Sequence, residues 1–346
     1  MSLRAAFETQ ARHCAALDSP FMVRLMTLCA ERLRPGGHVA DRLFAWPGDT
    51  SAGGDSVPLR LAGALHRLVL SGRAPGLAAV YPPQEAGDEA LWAAVTEVLT
   101  REAAVIDAML DSPPQTNEVR RAACLIATGH ALAARFGLPL RLSELGASAG
   151  LNLMWDRFAL EAGEMRLGPA QPLLTLRPEW RGELPEAGAP EVIERRGVDL
   201  APIDARDPAD AERLLGYLWP DQPERLARTR VAIAGFAAEV TAGDALEWLP
   251  ARLSERREGT LHLIYHTVAW QYLPEAARAR GEALIEKAGA EARPEAPLAR
   301  LSMETDGRPE GAALRLQVWP GGEAHDLGRI DFHGRWVDWR RPVWPR

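Results

Sequence analysis

The sequence predicts an α/β fold: an all-helical N-terminal region, then a mostly parallel sheet with an antiparallel edge hairpin. Three observations carry this. The short strand Leu140-Arg141-Leu142-Ser143-Glu144-Leu145 runs into Gly146-Ala147-Ser148-Ala149-Gly150 and then into the helix-compatible Leu151-Asn152-Leu153-Met154-Trp155-Asp156-Arg157, the opening of an α/β unit. Strand and helix patterns alternate after it. The continuous apolar run Leu261-His262-Leu263-Ile264-Tyr265-His266 suits a central strand, because parallel strands are covered on both faces.

Residues 1–111 carry helical periodicity and no strand pattern, which predicts a helical N-terminal or cap domain. Phe21, Met22, Leu25, Met26, Leu28 and Leu33 keep the period until Pro35-Gly36-Gly37; 46–58 is turn-rich, and 59–70 and 88–110 resume helical spacing. The α/β domain is expected over 112–346. Thr116 or Asn117 caps a helix that runs to about Phe136 and stops at Gly137-Leu138-Pro139. Residues 162–190 are rich in Gly and Pro and read as an insertion rather than a core element, with one strand-like piece at 173–176. Leaving beside the glycine turn, it is placed to act as a lid over the strand ends. A strand at 192–203, a helical stretch at 207–238 and a helix from Pro274 follow. Strands at 298–304, 312–319 and 326–333, with Pro320-Gly321-Gly322 as a hairpin turn, complete the chain.

Composition excludes several function classes. The 346 residues are 47% apolar with a net charge of -7, an ordinary globular balance and a poor match to the phosphate backbone of nucleic acids. Lys287 is the only lysine, so neither a Walker A loop nor a buried Schiff-base lysine is expected. Cys14, Cys29 and Cys124 have no metal spacing, and His262 and His266, about 13 Å apart on a strand, cannot share an ion, so no metal is expected. The absence of an apolar leader and of any 18-residue apolar stretch points to a cytoplasmic protein away from membranes.

The glycine turn admits two specific readings. Glu144-x-Gly146-x-x-x-Gly150 after a strand resembles the first motif of class I S-adenosylmethionine-dependent methyltransferases, in which glycines let the backbone approach the ligand and a helix N-terminus faces its carboxylate. The same letters spell the nucleophile elbow of α/β-hydrolases with Ser148 at its apex; the histidines downstream, His325 and His333, fall in an expected hairpin, and no oxyanion-loop motif precedes Ser148. A glycine-rich turn that holds nothing is the third possibility.

The methyltransferase resemblance implies a Rossmann-like fold and acids at the ends of the next strands. Asp199 in Gly197-Val198-Asp199 stands where the ribose acid belongs, although 55 residues separate it from Glu144, and Glu194 is a substitute. Asp244 and Ala245 stand where the adenine contact belongs, and His266 and Thr267 where residues face the transferable methyl. The implied cofactor set is Glu144, Gly146, Ala147, Ser148, Gly150, Asn152, Asp199, Asp244, Ala245, His266 and Thr267, with His266 also a candidate base. Asn117, Arg121, Trp180 and Tyr272 are the candidate substrate residues. Gln115-Thr116-Asn117-Glu118, the glycine turn, Trp219-Pro220 and His333-Gly334-Arg335-Trp336 are together similar to a bacterial family of unknown function. The expectation is an S-adenosylmethionine-binding protein that methylates a small-molecule acceptor. A non-catalytic cofactor- or nucleotide-binding module is the alternative, and a serine hydrolase is the second alternative.

Overall fold

The computed structural model describes residues 1–344. The chain forms two compact units, one of residues 1–116 and 206–230, the other of 117–205 and 231–346. No helix among the described residues is long and apolar enough to cross a membrane.

The first unit is helical: α1 (Leu3–Ala16), α2 (Pro20–Arg32), α3 (His38–Phe44), α4 (Val57–Leu70), α5 (Pro75–Ala78), α6 (Asp88–Arg101) and α7 (Ala103–Asp111). Phe7 and Cys14 of α1, Met22, Leu25 and Met26 of α2, and Leu61 and Leu65 of α4 bury one common core. The segment 206–230 belongs to the same body. Tyr217 packs on α4 at Gly63, where a Cβ would lie 2.5 Å from its ring, and its hydroxyl donates to the Ser112 carbonyl at 3.1 Å.

The second unit opens with α8 (Ala122–Phe136), which ends at Gly137 in the left-handed region, as its sequence predicts. The strands follow: β1 (Leu140–Leu145), β2 (Ala159–Ala162), β3 (Met165–Leu167), β4 (Thr175–Leu176), β5 (Glu179–Gly182) and β6 (Val192–Asp199). After α9 (Pro208–Gly216) and α10 (Pro223–Ala234) come β7 (Glu239–Ala242), α11 (Ala245–Ser254), β8 (Leu261–Thr267) and α12 (Glu275–Ala290). β9 (Leu298–Glu304), β10 (Ala312–Trp319), β11 (Glu323–Ile330) and β12 (Trp336–Trp339) close the unit.

The large sheet has nine strands in the order β5-β12-β11-β10-β9-β8-β1-β6-β7. The run from β7 to β9 is parallel, and β9 to β12 form an antiparallel meander. Taken along the parallel run, the chain visits third, second, first, fourth and fifth positions, so its direction reverses between β1 and β8. Ligands of open α/β sheets bind outside the carboxyl ends at such a reversal.

Three expectations are corrected. The antiparallel part is a four-strand meander rather than one edge hairpin, because β12 adds to it and β11 begins three residues earlier than its pattern suggests. The segment 162–190 is not loop throughout. β2, β3 and β4 form a small sheet with Ala162, Leu167 and Leu176 buried, and β5 pairs with β12 at the far edge of the large sheet. Its Gly and Pro content masks these short strands. The third correction concerns 151–157, which forms a 3-10 turn rather than an α-helix. Leu151 to Trp155 are all buried, which leaves only Asp156 and Arg157 to meet solvent, and the Trp155 ring fills the space where Gly129 of α8 lacks a side chain.

β1 is buried along its whole length yet carries Arg141 and Ser143. Both are answered by α11. The Arg141 guanidinium, 1% exposed, donates to Glu194 (2.6 Å) and to the carboxylate and carbonyl of Glu255. Arg252 donates to Ser143 Oγ (2.8 Å), Glu194 (3.0 Å), Glu255 (2.9 Å) and the Leu142 carbonyl, while Ser143 Oγ meets His262 Nε2 at 2.7 Å. Glu194 is held by this network, on the half of the sheet away from the strand carboxyl ends. Despite partial burial, the Arg252 and Arg141 hydrogen bonds pull its carboxyl down to about 2. A depressed carboxyl contributes stability above its unfolded value that is lost as pH falls through the folded one. Wild-type stability should therefore decline between about pH 4.5 and 2 through this group. Glu194→Gln, which leaves two buried guanidiniums short of charge, should cost about 3 kcal/mol at neutral pH and remove that share of the acid decline; chemical denaturation across pH measures both.

Candidate functional site

The carboxyl ends of β6, β1 and β8 gather the chemistry-bearing residues. β1 delivers the chain into a turn whose Gly146, Ser148 and Gly150 all have positive φ (70°, 54° and 71°). Gly146 and Ala147 donate their amides to the Val198 carbonyl at 2.9 and 3.0 Å. Ser148 donates its amide to Asp199 Oδ2 at 2.8 Å, and the other oxygen of Asp199 accepts from Ala201. Asp199 thus ties the turn to the end of β6. Gly146 also admits a neighbour: a Cβ there would stand 2.5 Å from the Ala269 methyl. Ser148 holds a left-handed conformation at about 1–2 kcal/mol against it, with no glycine to relieve it.

Beyond the turn, the amide of Leu151 donates to Asn117 Oδ1 at 2.7 Å, and Asn152 Nδ2 donates to the Glu118 carbonyl at 3.3 Å. Asn117 therefore satisfies from within the amide that the sequence assigns to a ligand-facing helix end. Asn117 does not cap α8. Glu118 caps the 3-10 turn Val119–Arg121 that precedes it, accepting from the Arg120 amide at 3.1 Å.

Glu144, the penultimate residue of β1, is 1% exposed, and its Oε2 has no hydrogen-bond partner among the described residues. Burial pushes its carboxyl well above the usual range, opposed by Arg121 and assisted by Asp199. Its surroundings therefore favour the protonated form over the ionised one. Ser148 Oγ and Asn152 Oδ1, both buried, likewise lack partners among the described residues. Tyr265, opposite Glu144 in the β1–β8 register, donates its hydroxyl to the Asn152 carbonyl at 3.3 Å. Buried polar atoms are nearly always paired, so three orphans around one turn mark a place that a bound group would satisfy.

His266 is buried at the end of β8 with both ring nitrogens engaged. Nδ1 meets Glu304 Oε1 at 2.8 Å, and Nε2 lies 3.2 and 3.1 Å from Arg300 Nε and Nη2. Facing two guanidinium N–H groups, Nε2 is the acceptor and Nδ1 the donor to Glu304, and burial lowers the pKa of the ring against that bond. The ring stacks on Trp270 at 4.8 Å, and Arg300 lies 4.9 Å over the same indole. An imidazole so committed has no lone pair to spare for a proton from outside. The Thr267 carbonyl accepts from Arg121 Nη1 at 3.0 Å. Val268 has φ +56°, a conformation that a β-branched residue adopts only under constraint.

Of the residues singled out by sequence, Glu144, Gly146, Ala147, Ser148, Gly150, Asn152, Asp199, His266, Thr267, Asn117 and Arg121 lie on these strand ends and their turns or are tied to them by the bonds above. Asp244 and Ala245 stand one strand further out, after β7. Asp244 is exposed and caps α11 through the amides of Leu246 and Glu247. Tyr272 ends the 3-10 turn after β8 and is 76% exposed. Trp180 is not brought to this place. It sits on β5, six strands from β1 or about 29 Å at the usual spacing, against Trp339. Glu304 and Arg300 escaped the sequence reading, although Glu304 ends a strand as Asp199 does and Glu144 nearly does. As for the hydrolase reading, the partnerless Ser148 Oγ has no imidazole within hydrogen-bond reach. His325 packs on Trp344, and His333 lies 3.9 Å from Glu118.

A family model described as uncharacterized protein conserved in bacteria (DUF2332) matches residues 4–339. No curated protein matches the chain.

Two expectations follow from this geometry. The raised carboxyl of Glu144 contributes stability in full below about pH 4.5 and loses it as pH climbs towards the folded value, at up to about 1.4 kcal/mol per pH unit. Glu144→Gln should accordingly melt higher than wild type at pH 8, with the gap closing by pH 4.5. Gly146→Ala, which forces both a left-handed alanine and the 2.5 Å contact with Ala269, should cost about 1–3 kcal/mol. Adding Ala269→Gly should recover the contact share alone, as a double-mutant cycle in denaturant would read.

Proposed function

Since the chain belongs to this bacterial family, whose description names no reaction, the site itself carries the reading, and we propose that the second unit binds S-adenosylmethionine at the ends of β6, β1 and β8 and methylates a small-molecule acceptor. The observation that supports it most is the coincidence of the direction reversal between β1 and β8 with a glycine turn flanked by Glu144 and Asp199. Site chemistry, not fold likeness, has to bear the functional weight.

The residues present fit such a ligand. Asp199, which ends β6 and accepts the Ser148 amide, places a carboxylate where a ribose hydroxyl would donate. Glu144, Ser148 and Asn152 offer orphaned polar atoms to the donors of the amino-acid end. Asp244 is an exposed acceptor one strand out, at the rim. When bound, the cofactor supplies a methyl group made electrophilic by its sulfonium. The protein aligns an acceptor and excludes water, and alignment alone supplies a large part of such an acceleration. With His266 held by Glu304 and Arg300, the reading needs no protein base and favours an acceptor that is nucleophilic as it arrives.

At about a hundred times Kd, a bound ligand should stabilise the protein by about 2.7 kcal/mol. S-adenosylmethionine and S-adenosylhomocysteine should both raise Tm, and Asp199→Ala should abolish the shift while Trp180→Ala leaves it unchanged. If neither ligand moves Tm at millimolar concentration, the cofactor assignment is wrong. Stoichiometric labelling of Ser148 by a fluorophosphonate would point to acyl transfer instead.

A further inference from the structure

We propose that Glu304 is a positioning residue of this site: its carboxylate fixes the turn after β8 and, through Ala269, the shape of the glycine turn after β1. Glu304 ends β9, one strand beyond β8, and its side chain is mostly buried. Its Oε1 accepts from the amides of Ala269 and Trp270, each at 3.0 Å, as well as from His266, and its Oε2 accepts from the Gln271 amide at 3.2 Å. Three successive backbone amides converging on one carboxylate form a nest of the kind that holds anions, here occupied by the protein's own side chain. Charge-assisted bonds of this type are stronger than neutral ones and can hold Val268 in its left-handed conformation.

The consequence reaches the glycine turn by direct contact. Val268 turns the chain so that the Ala269 methyl presses where Gly146 has no side chain. Gln271 Oε1 in turn accepts from the Thr305 amide at 3.0 Å, so the end of β9 and the turn lock each other. Behind them, the His266 ring is wedged between Glu304 and Arg300 with both nitrogens engaged. Glu304 thus acts on a ligand through Ala269 and Gly146 without touching it. For its effect on ligand binding the proposal rests on the cofactor reading above; its structural part does not.

The test pairs amide hydrogen exchange with calorimetric titration of S-adenosylhomocysteine, on wild type, Glu304→Ala and Glu304→Gln. Glu304→Ala should speed exchange at 269–271 and also at 146–150, more than 100 residues away in sequence, while β10 and β11 keep their protection. Affinity should fall about tenfold or more, the loss expected when one charged hydrogen-bonding anchor is removed. Glu304→Gln, which keeps Oε1 as an acceptor, should restore most of both. Faster exchange confined to 269–271 overturns the proposal, as does undiminished affinity in Glu304→Ala. If wild type binds no S-adenosylhomocysteine but 146–150 still loosens in Glu304→Ala, the positioning role stands and the cofactor reading falls. Should Glu304→Ala fail to fold, Ala269→Gly removes the contact and spares the carboxylate. It should loosen 146–150 with 269–271 unchanged, and unchanged exchange at 146–150 refutes the coupling.

Discussion

β1 is paired on both edges and covered on both faces, so every polar side chain it carries has to be answered from inside the protein. Burying a charge without a partner is among the most unfavourable things a fold can do. Arg141 and Ser143 are answered by Glu194, Arg252, Glu255 and His262, and that requirement fixes where α11 lies against the sheet. Among the described residues nothing answers one oxygen of Glu144, and burial disfavours its ionised form. The strand is therefore satisfied along most of its length and frustrated at its carboxyl end.

The same division runs across its neighbours. Away from the turns, the sheet is tied by a closed network of forked guanidinium–carboxylate bonds. At the carboxyl ends, Ser148 and Val268 hold left-handed conformations, and buried polar atoms go without partners. Strain and unmet hydrogen bonding persist only where the surroundings over-determine them. Here the over-determination comes from Asp199 on one side of the glycine turn and from Glu304, through Ala269, on the other.

Much of this was legible in the sequence, for physical reasons that differ by element. β1, β9 and β10 match their patterns because each is bounded by Gly or Pro or carries clear alternation. The glycine turn was legible because left-handed backbone selects glycine. The 3-10 turn at 151–157 was not, since a stretch buried from 151 to 155 looks the same to periodicity whether it coils as 3-10 or α. β5 and β12 were hidden by their four-residue length and by a partner that pattern cannot supply. Glu304 was visible as an acid at a strand end, yet its role comes from three amides in a turn that no local signal announces. Asp244 reads as a ligand acid or as a helix cap from the same letters, and the structure uses it as a cap.

The pairing of β5 with β12 also bears on how the molecule is made. Residues 179–182 lie against 336–339, so β5 waits for a strand translated more than 150 residues later. Until then, β5 hangs on the connection between β1 and β6, the two strands that frame the glycine turn. Contacts so distant in sequence form late and slow the search for the native state. Until 336–339 has been made, the sheet stays incomplete at that edge, and the connection leading back to β6 lacks its anchor there.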